Sequence, residues 1–269
     1  MSTLFTGISE LHTVSEAGTL DDAAIVVTDG VVSWVGQRSQ APAADDIVDC
    51  GGRAVLPGWV DSHTHMIFDG DRSAEFEARM SGGSYEAGGI AVTMDATRSA
   101  GESRLEQLLV ERIAAARRGG TTTVETKTGY GLNTESEVLA ARVASKYADD
   151  VTFLGAHLVP PGADADAYLD EVVGPMLDGV ADYANWIDVF CERGAFDETQ
   201  SRRVLAAGKD RGLGVRVHGN QLGEGPGVQL AVELDAASVD HVNYLSDADI
   251  EALANSETVA TMPVSYTHL

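Results

Sequence analysis

Residues 54–65 read Ala54-Val55-Leu56-Pro57-Gly58-Trp59-Val60-Asp61-Ser62-His63-Thr64-His65, and the character of the chain changes there. Upstream, the sequence reads as short strands and turns. Ala24 to Val27 and Val31 to Gly36 flank Asp29-Gly30, a hairpin signal, and Ile47 to Cys50 continues in the same style. Residues 1–57 are therefore expected to form a small β module. Downstream, β-rich runs alternate with helical ones. Val55 to Val60 is an apolar run broken by Pro57-Gly58, and Thr121–Thr126 follows a helical stretch from Arg104 to Arg118. Further strands are predicted at Val151–Leu154, Trp186–Phe190, Gly214–Val217, Ala237–Val239 and Thr258–Ala260. The helices predicted between them cover Glu135–Lys146, Asp166–Asp182, Thr199–Arg211, Val228–Leu234 and Asp247–Ala254.

Strands and helices alternating at this spacing predict the α/β class with a parallel sheet. A TIM-type (β/α)8 barrel over residues 58–262 fits better than an open sheet, since a complete barrel takes roughly 250 residues. The last run leads directly into Met262-Pro263, with no final helix and no eighth βα unit. The barrel is therefore expected to lack its last unit, with the chain a fragment and residues 263–269 a tail foreign to the rest.

Composition narrows the function. Acidic residues number 42 against 18 basic ones, a net charge of −24, with only three lysines: Lys127, Lys146 and Lys209. Such a surface repels a polyanion, so nucleic-acid binding is not expected. The acids are spread along the whole chain, which suggests a salt-adapted, halophile-like surface more than a cation-binding patch. Cys50 and Cys191 are far apart and in no metal-type spacing, which fits a reducing cytosol. With no signal-like start and no long apolar run, a soluble cytoplasmic protein without membrane contact is expected.

His63 and His65 stand two apart at the end of the first barrel strand, where alternate side chains share a face. Two neutral imidazoles on one face supply half of a tetrahedral metal site. A bare His-x-His is more often a surface pair, but His157, His218 and His241 also follow predicted strands, whose C-terminal ends converge in a barrel. Five of the seven histidines share this placement; His12 and His268 do not and receive no role.

Pro57 to His65 resembles the first-strand signature of the amidohydrolase superfamily. The β module before it is similar to half of that superfamily's composite β-sandwich. Further blocks resemble the imidazolonepropionase family in order along nearly the whole chain: Phe68 to Arg72, Glu125 to Leu132, Phe153 to His157, Asp188 to Glu192 and His218 to Leu222, with Asp240-His241 a weaker match. The resemblance implies one divalent metal ion, zinc or iron, on His63, His65 and His218. It also implies a further ligand, an eighth-strand Asp, which is absent from this chain. It implies a small-molecule substrate contacted by Arg72, Tyr130, His157 and Gln221. His241 is then the position for proton transfer or oxyanion stabilisation, held by Asp240. Gln221 stands where some relatives carry a Glu, and unlike Glu it moves no proton. Lys127 is not expected to be a carboxylated bridging ligand, because of its place on strand two. The implied reaction is hydrolysis of the cyclic amide of 4-imidazolone-5-propanoate, in a protein that many relatives would suggest is a homodimer.

Overall fold

The computed structural model describes residues 1–71 and 90–262, which fall into two separately compact units meeting between Trp59 and Val60. In the first unit, β1 (Ser2–His12), β2 (Thr19–Thr28), β3 (Val31–Gln37) and β4 (Asp46–Val55) form one sheet in the order β3-β2-β1-β4. The hairpin predicted around Asp29-Gly30 is present: both residues have positive φ, as the tight turn between antiparallel β2 and β3 requires. β4 joins the other edge in parallel to β1. This unit is a single four-stranded sheet, with Ile8, Leu11 and Ala23 as its small buried cluster. Val31, Val32, Ile47 and Val48 are exposed.

The second unit is α/β. After β5 (Trp59–Asp61), its elements alternate: α1 (Ile90–Arg118), β6 (Thr121–Lys127), α2 (Thr134–Ala144), β7 (Asp150–Ala156), α3 (Ala165–Glu171), α4 (Leu177–Val180), β8 (Trp186–Cys191), α5 (Glu198–Asp210), β9 (Gly214–Gly219), α6 (Gly227–Glu233), β10 (Ser238–His241), α7 (Asp247–Ala254) and β11 (Val259–Thr261). The seven strands lie in sequence order, and every pair from β6 to β11 is parallel. The sheet is strongly curled. Laid flat, β5 and β10 would stand five strand spacings apart, roughly 24 Å. Yet the rings of His63, just after β5, and His241, at the end of β10, are 5.1 Å apart.

Local chemistry accounts for most boundaries. β7 and β8 are buried almost throughout, as parallel strands covered on both faces must be. Asn133 caps α2, and reciprocal side-chain bonds between Asp197 and Gln200 close the first turn of α5. Two helices depart from the expected runs. The helix predicted over Asp166–Asp182 is interrupted by a wide turn at Val172–Met176, where Pro175 lacks an amide donor and Gly174 leaves helical geometry. Helix α1 begins earlier than predicted and kinks at Gly101, whose φ of 66° and ψ of 169° suit glycine. No helix among the described residues is long and apolar enough to cross a membrane.

Candidate metal centre

The imidazoles expected at the strand ends gather at one place. Ring centroids lie 5.2 Å apart for His63 and His65, 4.6 Å for His63 and His218, and 5.1 Å for His218 and His241. The Nε2 atoms of His65 and His218 approach to 3.4 Å. One nitrogen from each of His63, His65 and His218 falls within 4.8 Å of the other two. Burial, with the neighbouring imidazoles adding to it, holds the pKa values of His65 and His218 well below the usual histidine range. His241 is pushed down to about 4, first by burial and then by His63. These rings are therefore neutral at pH 7, the state in which imidazole binds metal.

Beneath the rings lies a layer of charge. Asp240 Oδ2 is 2.7 Å from His63 Nδ1, and Asp188 Oδ2 is 2.9 Å from His218 Nδ1. At His63 the carboxylate hydrogen-bonded at Nδ1 selects the tautomer protonated there and leaves the lone pair on Nε2. The Lys127 ammonium, wholly buried, lies 3.0 Å from Asp188, 3.1 Å from Glu125 and 3.4 Å from Asp240. Burial alone would lower its pKa, but Asp188, Glu125 and Asp240 outweigh that and raise it, so the ammonium stays charged. Burial likewise acts to raise the pKa of Asp240, but the His63 hydrogen bond and the Lys127 charge overcome it and hold the carboxyl well below the usual range. Three carboxylates against one ammonium leave two negative charges, which one divalent cation would balance. Neutral imidazoles, a buried His65 Nδ1 with no hydrogen-bond partner among the described residues and this charge deficit all fit a metal ion. Asp240→Asn should keep the shape but weaken the orientation of His63. Its affinity for a divalent ion, read by competition with a chelator, is expected to fall about 10–100-fold.

The loop after β6 forms one wall. Gly129 has φ of 100°, and a Cβ there would lie 2.4 Å from the Leu154 carbonyl oxygen, so only glycine lets this loop settle against β7. The buried Glu137 carboxyl accepts the amides of Gly129, Gly131 and Leu132 at 2.8–3.0 Å. Tyr130 is thereby held with its ring 5.7 Å from His65 and stacked on Phe68 at 4.9 Å. His157 donates from Nδ1 to the Gly129 carbonyl at 2.9 Å, and its ring stacks on His65 at 5.8 Å. Two arginines of α1 tie down the loops. Arg98 donates to the carbonyls of Gly131 and Leu132, and Arg112 to those of Met66 and Phe68.

Of the residues singled out from sequence, His63, His65, His218, His241, His157 and Tyr130 are brought together. Gln221 follows β9, with its backbone amide donated to Glu192. Arg72 lies outside the described residues. Asp240, expected beside His241, directs Oδ2 to His63 and Lys127. Sequence reasoning missed the roles of Glu125, Asp188 and Glu137. Charged residues inside β-branched strand runs were the available signal for the first two.

No family model matches the chain. A protein of Arthrobacter sp. (strain FB24) named imidazolonepropionase is 66% identical over 257 residues, covering 95% of this chain and 64% of that protein. A protein of the same name from Saccharopolyspora erythraea is 64% identical over 262 residues, covering 97% of this chain and 68% of the relative. The chain thus spans about two thirds of the length of the relatives it matches. Among solved structures, a Xaa-Pro dipeptidase with bound methionine aligns with a TM-score of 0.65 at 17% identity, over 97% of this chain and 66% of that one. An amidohydrolase aligns at 0.64 and 16% identity, over 98% and 66%. These likenesses show a shared fold. The identity to the named relatives goes further: the chain belongs to the imidazolonepropionase family.

Proposed function

We propose that this chain carries the centre of a hydrolase of histidine degradation, which opens the cyclic amide of 4-imidazolone-5-propanoate to N-formimidoyl-L-glutamate. The carrying observation is the convergence of three imidazoles, two of them with a buried carboxylate beside Nδ1, in a chain 66% identical to an imidazolonepropionase. His63, His65 and His218 would hold one divalent ion, zinc or iron. When bound, such an ion supplies Lewis acidity that makes water a nucleophile near neutral pH.

The remaining residues bind and orient. His241, neutral at pH 7 because burial pushes its pKa to about 4, is suited to donate a hydrogen bond to the developing oxyanion. Its proton-accepting power is correspondingly weak. His157, with Nδ1 given to Gly129, offers Nε2 as an acceptor when neutral and as a donor when charged. A substrate carboxylate or ring oxygen at that atom selects the charged ring. Tyr130 closes the wall beside it, Gln221 is a candidate for the ring nitrogens, and Arg72 for the propionate, by its planar pair of donors. Gln221 would position without moving a proton. By the same reading the curled sheet is most of a TIM-type barrel, and the β unit is one half of a composite sandwich. A cytoplasmic, salt-adapted and homodimeric enzyme acting on a small molecule, without nucleic-acid or membrane partners, completes the proposal.

Hydrolysis of imidazolone propionate, followed by loss of the ring's ultraviolet absorbance and compared with dihydropyrimidines and purines, tests the substrate. Turnover confined to imidazolone propionate is expected. Preference for another cyclic amide or for deamination would displace this reading in favour of a different amidohydrolase activity.

A further inference from the structure

We propose that Glu192, helped by Asn243, is a positioning residue for the substrate. The two side chains clamp the Gln221 peptide from opposite ends and so fix the point from which its carboxamide reaches the ligand. The inference rests on the reading of Gln221 as a substrate contact given above. Gln221 stands three residues past His218, on the loop that leaves β9. The Glu192 carboxylate accepts the Gln221 backbone amide, and the same oxygen accepts the Leu222 amide at 3.3 Å. From the other side, the Asn243 carboxamide donates to the Gln221 carbonyl at 3.1 Å. The backbone donor and the backbone acceptor of residue 221 are thus both taken by side chains. One comes from the loop after β8, the other from the loop after β10.

The clamps are themselves anchored. Glu192 follows directly on β8, whose exit closes into a tight turn: the amides of Glu192 and Phe196 both donate to the Phe190 carbonyl, at 3.1 and 3.2 Å. Phe190 lies edge-on to His157 and His218, with ring centroids 5.9 and 6.1 Å away, so this turn borders the imidazole cluster. On the opposite side, the amides of Val242 and Tyr244 reach the carbonyls of Gly219 and Asn220, at 3.1 and 3.0 Å. Those bonds tie the Asn243 loop to the chain just before Gln221. Asn220 adopts a left-handed backbone with φ of 54°, which asparagine tolerates, and its carboxamide donates to the Tyr244 carbonyl at 2.9 Å. Glu192 is buried, and burying a carboxylate costs free energy that a surface loop avoids by using water. An ionised acceptor in turn makes a stronger hydrogen bond than a neutral one. What it secures here is the peptide of the residue assigned to the substrate.

The test is a cycle of variants read by steady-state kinetics on imidazolone propionate, with metal content and melting temperature measured alongside. Glu192→Ala should raise KM about 10-fold, with a much smaller change in kcat and unchanged metal content, the pattern of misplaced binding. Glu192→Gln keeps an acceptor oxygen and should recover most of that loss, which it would not if the carboxylate moved a proton. Gln221→Ala keeps the clamped peptide but lacks the carboxamide. In that background Glu192→Ala should raise KM no further, because residues that act through one another are not additive. Asn243→Ala, at an exposed position, should show the same dependence on Gln221 on a smaller scale, and it carries the test if Glu192→Ala does not fold. Additive losses in the double variants mean that the clamp only shapes the loop, and they overturn the proposal. Loss of metal from Glu192→Ala, or equal damage in Glu192→Gln, overturns it too. No turnover by the unsubstituted chain, or an unchanged KM in Gln221→Ala, refutes the underlying reading of the substrate or of Gln221, and the positioning role falls with it.

Discussion

Alanine at His218 is expected to strip the chain of tightly held divalent metal and to lower turnover of imidazolone propionate by at least about 100-fold. The size follows from position. Residues that merely orient a ligand typically cost about 10–100-fold in metal affinity or activity when removed. His218 is closer to the chemistry than that: its Nε2 faces His65 Nε2 at 3.4 Å, and it is one of the three imidazoles whose nitrogens lie within 4.8 Å of one another. Truncation also leaves the Asp188 carboxylate, fully buried and 2.9 Å from the lost ring, with the Lys127 ammonium and the backbone amides of Val189 and His218 as its remaining partners. A loss of stability should therefore accompany the loss of metal, because a buried charge robbed of one neighbour is costly. His12→Ala is the control. That residue bonds Thr19 and Glu10 in the β unit and should leave both metal content and turnover unchanged. Metal analysis and steady-state kinetics on the two variants decide the matter. Full turnover in His218→Ala would rule out this centre as the seat of the chemistry.

Acid should unfold the metal-free chain well before its surface carboxylates titrate. His65, His218 and His241 all have depressed pKa values, set first by burial. For a histidine depressed in the fold, stability is present above the ordinary value of 6.5 and is lost as pH falls, because the unfolded chain takes up the proton first. For His241 the window runs from 6.5 down to about 4, and the shift corresponds to roughly 3 kcal/mol at about 1.4 kcal/mol per unit. His65 and His218 act in the same direction. Asp240, also depressed, adds a loss that begins only below 3.8. Denaturant midpoints measured with chelator from pH 7.5 to 4.5 should therefore fall continuously. His241→Asn should flatten part of that slope, since asparagine tolerates the left-handed backbone that His241 adopts at φ of 83°. An unchanged midpoint across this range would contradict the burial of neutral imidazoles.

Much of the architecture was legible because the two periodicities are clean. Val151–Leu154, Trp186–Phe190 and Gly214–Val217 each lie within a strand, and the helix expected over Asp247–Ala254 has those ends. The imidazole cluster was legible for the same reason: a histidine at a strand end is placed by the fold once the strand is known. What sequence did not reveal depends on contacts between distant strands. Lys127 and Asp188 stand on β6 and β8, and Asp240 on β10; nothing in their local spacing shows that they share one buried layer. The sheet of the first unit, with β4 parallel to β1, depends likewise on long-range pairing. The break at Gly174-Pro175 was visible in the residues, yet the apolar pattern on either side outweighed it.

The kink in α1 has a mechanical consequence. Arg98 stands before Gly101 and grips the loop that carries Tyr130; Arg112 stands after it and grips the segment that carries Phe68. The two jaws that meet in the Tyr130–Phe68 stack are therefore hung from two levers sharing one pivot, and the angle at Gly101 sets how far apart they stand.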